Sequence, residues 1–343
     1  MTHGVAVDLK TVENVLAALP NYPSTRAAAD ALGYPESTLR LWKKRFGIQR
    51  NEYDHGKPLP TDGLTLPELL EHRKLRFAKK QKAEEAAKLR PVKIKVQGPF
   101  AIHHFGDPHV DDDGTDIVTL ERHVNLINDT PCMFAGNIGD TTNNWIGRLA
   151  RLYANQSTTA KEAWQIAEWF LTSVDWLYVI GGNHDAWSGD GDPIKWMLAR
   201  PDLYSPSAVR LALKCPNGRE IRVNARHDFV GHSQWNPAHG SMKAAQMGLH
   251  DHINVNGHKH ASGYGVIKDP LTGTISHCLQ IASYKVYDTY AKERGFRDQH
   301  ISPCAVTVID PETPYESELV HVFWEPETAA EYLTWLRKKR GHA

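Results

Sequence analysis

The chain has 343 residues, enough for two domains or for one large domain with an appendage, and 41% of them are hydrophobic. No run of eighteen apolar residues occurs, so we expect no membrane-spanning helix and no membrane partner. The formal net charge is zero, yet residues 1–98 carry 18 basic against 11 acidic side chains, and residues 99–343 carry 22 against 29. A basic arm can meet phosphates, so the neutral total does not exclude nucleic acid as a partner.

The cysteines and the first residues bear on the compartment. Residues 1–10 lack the apolar core of a secretory signal. The four cysteines are far apart and show no paired spacing, which favours buried thiols over a disulfide framework. These are Cys132, Cys215, Cys278 and Cys304. We therefore expect a cytoplasmic protein.

Residues 8–48 predict a small unit of three helices. Residues 11–19 carry apolar side chains at helical spacing. Ser24 can cap a second, alanine-rich helix, and Gly33 then turns the chain. A third helix opens at residues 35–38 and carries exposed basic side chains.

This arrangement resembles a helix-turn-helix, in which the second helix lies in the major groove of DNA. We therefore predict a DNA-binding unit at residues 1–50, with a three-helix packing unit as the alternative. The residues facing the groove would be Ser37, Thr38, Arg40, Lys43 and Lys44.

A linker and a basic helix are predicted at residues 51–91. Residues 51–65 are rich in Pro, Gly, Asp and Lys, and residues 66–89 read as one long helix with a run of Lys and Arg. The basic run is either a solvated face or a contact for phosphates.

From residue 92 to the end, strands alternate with helices, which predicts an α/β body. Such sheets place polar residues at the carboxyl ends of their strands, where sites form. His103 and His104 precede one such end, and we expect one to face the core and the other the cleft. The predicted strands cover residues 93–105, 131–135, 175–180, 220–223 and 252–255, and a helix covers 158–173.

Five short motifs of the body place carboxylates, amides or imidazoles beside glycines or turn residues. Oxygen and nitrogen donors of this kind suit manganese, iron or zinc. Any one of these residues alone reads better as a cap or a satisfied polar group, but chance does not explain all of them together. The motifs are Gly106-Asp107-Pro108-His109, Gly139-Asp140, Gly181-Gly182-Asn183-His184-Asp185, Arg226-His227-Asp228 and Gly257-His258-Lys259-His260.

The order of these motifs resembles the signature of calcineurin-like metallophosphoesterases, over roughly residues 102–260. Within that superfamily the chain looks most similar to DNA-repair-exonuclease-type members from phages and bacteria. The resemblance implies that the body is a four-layer αββα sandwich. It also implies that the protein acts in a bacterial or phage-infected cell. It also implies two divalent ions, for which we prefer Mn²⁺, with Fe²⁺, Zn²⁺ or Mg²⁺ as alternatives.

Carried onto this chain, the resemblance implies a bridging Asp140 between two ions. His184 would assist the leaving oxygen, and Asp185 would hold its imidazole. His232 is the rival of His227 as a ligand. The remaining ligands would be Asp107, His109 and His260 for the first ion, and Asn183, His227 and His258 for the second.

Three segments of the body have no assigned role. Residues 111–113 read as a solvated loop or a helix cap rather than a calcium loop. Family members often place an acidic residue after the Gly-Asp pair. Here Asn143 and Asn144 follow instead, and contact with the substrate phosphate is left open for both. Residues 336–340 read as a mobile basic end.

We therefore predict a two-metal phosphoesterase that hydrolyses phosphodiester bonds, most plausibly a DNA nuclease. One alternative is a phosphomonoesterase or small-nucleotide phosphodiesterase, because the same ions serve both reactions. Another is a DNA-binding or scaffold protein with a structural metal body. A monomer and a homodimer are both left open.

Overall fold

The computed structural model describes residues 8–46, 62–145, 150–185, 193–293, 295 and 302–342. It divides into two compact units, Met1–His72 and Arg73–Ala343. Within the described ranges no helix combines the length and the apolar character that crossing a membrane requires. All four cysteines are free thiols. Most of the predicted linker at residues 51–65 lies outside the described residues.

The three predicted N-terminal helices are present. They are α1 (Leu9–Ala18), α2 (Thr25–Leu32) and α3 (Glu36–Phe46). The Ser24 hydroxyl accepts a hydrogen bond from the backbone N–H of Ala27 and caps α2, and Gly33 ends α2 at φ +72°. The helices share a small core of Val12, Val15, Leu16, Ala28, Ala29, Leu39 and Trp42.

The predicted basic helix is also present, as α4 (Leu66–Ala87). The division between the two units falls inside it. None of its 22 residues is buried, so its basic and apolar side chains alike face solvent. Whether it contacts phosphates stays a prediction.

The larger unit contains two six-stranded sheets. Sheet I has the strand order β12-β11-β2-β3-β4-β5, and sheet II has the order β1-β6-β7-β8-β10-β9. The strands are β1 (Arg90–Lys93), β2 (Phe100–Phe105), β3 (Met133–Asn137), β4 (Trp176–Ile180), β5 (Tyr204–Ser205), β6 (Ala208–Lys214), β7 (Glu220–Arg226), β8 (Ile253–Asn256), β9 (Gly263–Lys268), β10 (Ile275–Gln280), β11 (Cys304–Ile309) and β12 (Val320–Phe323).

Helices complete the layers of this unit. They are α5 (Ile117–Asp129), α6 (Ala160–Thr172), α7 (Pro193–Met197), α8 (His239–Ala244), α9 (Thr289–Glu293) and α10 (Pro326–Lys339). One core lies between the two sheets, and a second lies between sheet I and α5, α6 and α10. Helix α8 packs on β8, β9 and β10 of sheet II. The predicted α/β class and the αββα order of layers are therefore confirmed.

The single strand predicted at residues 93–105 is wrong. Strand β1 pairs with β6 in sheet II, whereas β2 is a central strand of sheet I. Gly98, at φ +75°, and Pro99 interrupt the extended backbone between β1 and β2. All six residues of β2 are buried, because a central strand in a layered sheet is covered on both faces.

The basic segment at residues 336–340 is not a mobile end. It lies in and directly after α10, where Leu336 is buried against sheet I. The Arg340 guanidinium donates two hydrogen bonds to Asp310, at 3.0 and 2.6 Å, and Arg337 donates to the carbonyls of Gln97 and Pro99. Long-range contacts therefore order a segment that composition alone marked as mobile.

His103 and His104 are both fully buried, and neither faces the cleft as expected for one of them. The side chain of His104 lies between the sheets. Its Nδ1 is 2.6 Å from the Tyr178 hydroxyl and its Nε2 is 2.9 Å from the Thr307 hydroxyl. Burial lowers the pKa of His104 to about 3.

This buried imidazole predicts a loss of stability in mild acid. Between the unfolded pKa of about 6.5 and the folded pKa of about 3, only the unfolded chain binds a proton at His104, so stability falls as the pH falls. The loss is roughly 1.4 kcal/mol per pH unit in that window. We expect His104→Gln to reduce the slope of unfolding free energy against pH by about this amount, measured by urea unfolding with chelator present. The exposed His72→Gln is the control, and an unchanged slope in His104→Gln would contradict the assignment.

Candidate metal centre

Each of the five polar motifs directly follows a strand, and the carboxyl ends of these five strands lie close together. Asp107 and His109 follow β2, Asp140 follows β3, and Asn183 follows β4, and these three strands are parallel neighbours in sheet I. The other ligand-type histidines follow β7 and β8, which are parallel neighbours in sheet II. Carboxyl ends of parallel strands share one edge of a sheet, so both sheets deliver polar side chains to one region.

A first group consists of Asp107, His109 and His260. The Nε2 atoms of the two histidines are 3.2 Å apart, and Nε2 of His260 is 3.3 Å from Oδ2 of Asp107. Asp107 and His109 are buried, whereas His260 is partly exposed. The group is therefore closed on the protein side and open towards solvent.

A second group consists of Asp140, His227 and His258. Nε2 of His227 is 3.2 Å from Oδ2 of Asp140 and 3.1 Å from Nδ1 of His258. The side-chain oxygen of Asn183 lies 2.9 Å from the same Nε2 atom. Asn183 and His258 are exposed, so this group is also open on one side.

Asp140 stands between the two groups. Its Oδ2 atom is 3.2 Å from His227 in the second group and 4.0 Å from Nε2 of His109 in the first. Its Oδ1 atom accepts a hydrogen bond from the backbone N–H of His184 at 2.9 Å. One carboxylate thus faces both groups, as the predicted bridge requires.

The backbone at the site is unusual. Four of the seven predicted ligands have positive φ angles: His109 at 43°, Asp140 at 50°, His258 at 69° and His260 at 46°. Non-glycine residues rarely adopt this region, and such residues cluster at functional sites. Gly182 and Gly257 pack so closely on the Asp140 and Asp107 carboxylates that a Cβ atom at either position would collide with them.

The electrostatics of the site favour positive charge. Burial alone would lower the pKa of His227, but its hydrogen bond to Asp140 and the charges of Asp107 and Asp140 outweigh burial and raise that pKa to about 10. Burial and the neighbouring histidines hold the pKa of His109 well below its usual range. The carboxylates therefore attract positive charge at His227, whereas the His109 imidazole is neutral.

The seven residues fit divalent ions. Two donor atoms bound at about 2.1 Å to one ion, at right angles, lie about 3.0 Å apart. Five separations between predicted ligand atoms, 2.9 to 3.3 Å, match this value. Oδ1 of Asp107 and Nδ1 of His109 are buried atoms without a hydrogen-bond partner among the described residues. The structure thus brings all seven predicted ligands together, and their binding of metal stays a prediction.

His184 lies beside the two groups and belongs to neither. Its Nε2 is 3.8 Å from Oδ2 of Asp140, and its side chain is 22% exposed, so the ring borders the open side. Its Nδ1 lies 3.1 Å from the carbonyl oxygen of Asn143. A carbonyl only accepts hydrogen bonds, so Nδ1 carries a proton and Nε2 faces the cleft.

The expected contact between Asp185 and the His184 ring is wrong. The buried carboxylate of Asp185 instead accepts backbone N–H groups of Gly182, Thr141 and Thr142, at 2.8, 3.1 and 3.3 Å. Burial and the charge of Asp140 raise its pKa to about 7, against the effect of these hydrogen bonds. Asp185 therefore ties together the loops that follow β3 and β4, and Asn143 orients the imidazole.

Of residues 111–113, predicted as a solvated loop or a helix cap, Asp111 and Asp112 are buried and Asp113 is exposed. Asp111 accepts the backbone N–H groups of Asn143, at 2.6 Å, and Asn144, at 3.2 Å. Asp112 accepts the Asn143 side-chain amide at 2.7 Å and is 2.8 Å from the Lys285 ammonium group. Burial raises the pKa of Asp111. The sequence did not show the partners from β3 onward, because Asn143, Asn144 and Lys285 lie more than thirty residues away; only the Gly114 N–H, which Asp112 also accepts, is close along the chain.

The asparagines that replace the usual acidic residue are engaged by the protein itself. Asn143 is held by Asp111 and Asp112, and the Asn144 side chain donates to the carbonyl of His184 at 3.2 Å. Both residues therefore position the His184 segment. His232, the rival ligand, is exposed, whereas His227 lies inside the second group.

The predicted DNA-facing residues lie on α3, in the smaller unit. Ser37, Arg40, Lys43 and Lys44 are exposed, and Thr38 is half-buried. The Arg40 guanidinium is paired with Glu36, one turn earlier, at 2.6 Å. Their contact with DNA stays a prediction.

No protein-family model and no curated protein matches this chain. Among solved structures, the NAD nucleotidase of Haemophilus influenzae aligns with 66% of this chain and 49% of its own, at 11% identity and a TM-score of 0.37. A calcineurin-like phosphoesterase of Bacillus subtilis aligns with 71% of this chain and 97% of its own, at 12% identity and a TM-score of 0.34. The chain thus matches about half the length of the first structure. These likenesses are slight, and the site rests on the residues of this chain.

Proposed function

We propose that this chain is a two-metal phosphoesterase that hydrolyses phosphodiester bonds and that DNA is its substrate. The observation that carries the proposal is the convergence of two groups of ligand-type side chains on Asp140. Two divalent ions held there would lower the pKa of water and neutralise charge on the phosphate oxygens. The identity of the ions is part of the proposal, with Mn²⁺ preferred.

His184 supplies the proton in this proposal. With Nδ1–H donated to the Asn143 carbonyl, a second proton on Nε2 points to the open side, where the leaving oxygen would lie. The same Nε2 atom lies 3.8 Å from Oδ2 of Asp140, beside the two ligand groups. Proton transfer to the leaving oxygen by a positioned group contributes about 10²–10⁴-fold in rate.

The residues around the site hold the reacting groups in place and do not take part in the reaction. Asp185 and Asp111 accept backbone N–H groups of residues 141–144 and so fix the loop that carries Asn143. His227 is oriented by the carbonyl of Ile138, 3.0 Å from its Nδ1 atom. The exposed sides of Asn183 and His258 leave room for a phosphate to approach.

Charge supports nucleic acid as the substrate. Residues 1–98 have an excess of seven basic side chains, and Lys43 and Lys44 are exposed on a helix that follows a glycine turn. The exposed basic side chains of α4 are part of this excess. Clustered basic residues bind phosphate backbones and make that binding dependent on salt.

A substrate panel with purified protein tests the proposal. With Mn²⁺ we expect hydrolysis of bis(p-nitrophenyl) phosphate and of linear DNA, at least tenfold slower hydrolysis of p-nitrophenyl phosphate, and no activity after chelation. Because counterions are released when DNA binds, added salt should slow DNA cleavage steeply and hydrolysis of the small diester only slightly.

The outcomes separate the parts of the proposal. If the monoester is hydrolysed faster and DNA stays intact, DNA is not the substrate, and the two-metal chemistry is retained. Activity that survives chelation would contradict the proposal that the reaction depends on metal. The absence of hydrolysis of any substrate with Mn²⁺, Fe²⁺, Zn²⁺ or Mg²⁺ would contradict the proposal that the chain is an enzyme. A protein that binds DNA without cleaving any substrate would match the scaffold alternative.

A further inference from the structure

A third group of metal-binding side chains lies on the helix-covered face of sheet I. It consists of His103 on β2, His123 on α5 and Cys304 on β11, and their ligand atoms lie within 4.8 Å of one another. All three residues are buried, with at most 2% of their surface exposed. None of them belongs to the candidate metal centre.

Three of the four imidazole nitrogens of this group lack hydrogen-bond partners among the described residues. Both ring nitrogens of His103 and Nε2 of His123 are buried without a hydrogen-bond partner among the described residues. Buried polar atoms are almost always paired, and leaving three of them unpaired within one small volume costs free energy. An ion bound by one nitrogen of each ring would satisfy two of these three atoms and so lower that cost.

The neighbours of the group prepare it for an ion. Nδ1 of His123 is 2.7 Å from the Tyr284 hydroxyl and 3.6 Å from Sγ of Cys304, whereas Nε2 has no hydrogen-bond partner among the described residues. Metal-binding histidines commonly have such a partner on the second nitrogen. Burial lowers the pKa of His103 and His123, so both rings are neutral, the form that binds metal.

A pocket reaches the group. It has a volume of about 280 Å³, and His123, Tyr284 and Cys304 are part of its lining. Asp116 and Arg122 also line it, which makes the pocket polar enough for water. The pocket therefore offers space for a water molecule beside His123 and Cys304, while His103 lies outside its lining.

We propose that His103, His123 and Cys304 bind one Zn²⁺ ion, with a water molecule from the pocket as the fourth ligand. Two imidazoles and one thiolate are a donor set that zinc accepts, and three protein ligands with one water complete a tetrahedron. At usual zinc bond lengths such ligand atoms lie about 3.3–3.6 Å apart, and those of this group lie within 4.8 Å of one another, so the side chains need to close by about 1.5 Å at most.

The proton balance of this binding is simple. Burial raises the pKa of the Cys304 thiol, so the thiol holds its proton until the ion arrives. Formation of the zinc–sulfur bond releases that proton to the pocket. The bound ion would then join β2, α5 and β11, and His103 and Cys304 are 304 − 103 = 201 residues apart along the chain.

Cobalt substitution tests the proposal on the whole protein. A thiolate bound to Co²⁺ gives a charge-transfer absorption in the near ultraviolet, and the two groups of the candidate metal centre contain no sulfur. The band therefore reports the third group alone. We expect the wild-type chain, stripped with chelator and titrated with Co²⁺, to show the band and to bind one equivalent more than Cys304→Ser.

Two variants serve as controls. Cys278→Ser removes a thiol that is equally buried but lies on β10 of sheet II, and it should keep both the band and the extra equivalent. Asp140→Asn should lower the metal content of the candidate metal centre and keep the band. The second control makes the result independent of the proposed catalytic function.

Two results would overturn the zinc site. One is a wild-type chain that shows no thiolate band when saturated with Co²⁺, and the other is an equal band in Cys304→Ser. If Cys304→Ser does not fold, X-ray absorption of the zinc-loaded wild type decides instead. A sulfur neighbour at about 2.3 Å supports the site, and its absence refutes it.

Discussion

Replacement of Asp140 by Asn is expected to lower phosphodiester hydrolysis by at least about 10³-fold and to remove at least one equivalent of metal. The Asp140 carboxylate faces both ligand groups, at 3.2 Å from His227 and 4.0 Å from His109. An amide keeps the shape of the side chain and removes the negative charge that offsets the repulsion between neighbouring cations. Loss of about 4 kcal/mol of charge stabilisation corresponds to about 10³-fold in rate.

Elemental analysis and the rate of bis(p-nitrophenyl) phosphate hydrolysis measure this effect together. Asp310→Asn is the matched control, because Asp310 is an equally buried carboxylate that pairs with Arg340 away from the site. It should keep the full metal content and rate, with circular dichroism showing that both variants fold. An Asp140→Asn chain that holds all its metal and stays within tenfold of the wild-type rate would contradict the bridge.

Replacement of His184 by Ala is expected to lower DNA cleavage by about 10²–10⁴-fold and to leave the metal content unchanged. The ring borders the open side of the site and is outside both ligand groups. If His184 protonates the leaving oxygen, its loss should matter less for a substrate that leaves easily. We therefore expect a smaller fall with bis(p-nitrophenyl) phosphate than with DNA.

The comparison of the two substrates separates catalysis from structure. His232→Ala, which removes an exposed histidine, should change neither rate nor metal content. Loss of metal from His184→Ala would make the residue a ligand rather than an acid. If the rate falls equally with both substrates, His184 acts in substrate binding. If the rate is unchanged, His184 has no part in the mechanism.

The ligand-type residues could be located from the sequence because their signals are local. A short apolar run followed by a glycine and a polar residue predicts a strand end, and strands β3, β4, β7 and β8 end within three residues of the predicted positions. The N-terminal helices were predictable for the same reason, through the Ser24 cap and the Gly33 turn. Which ligand-type side chains meet at Asp140 was predicted only through a family resemblance.

The failures share a different cause. The partner of His184 was predicted to be its sequence neighbour Asp185, yet it is Asn143, which lies 41 residues away. Residues 111–113 read as solvated because Asn143 and Lys285 are far along the chain. The strand predicted at residues 93–105 divides between two sheets, which a one-dimensional pattern of apolar residues cannot show.

Local sequence thus accounts for the helices, most of the strand ends and the residue types at the site, because propensity, capping and periodicity act over a few neighbouring residues. Contacts between distant segments account for the rest. They bury Asp111, orient His184 through a carbonyl group, and assemble His103, His123 and Cys304 on one face of sheet I. Side chains separated by tens or hundreds of residues acquire partners only when the sheets and helices pack, since packing decides which groups lose water and must find another partner.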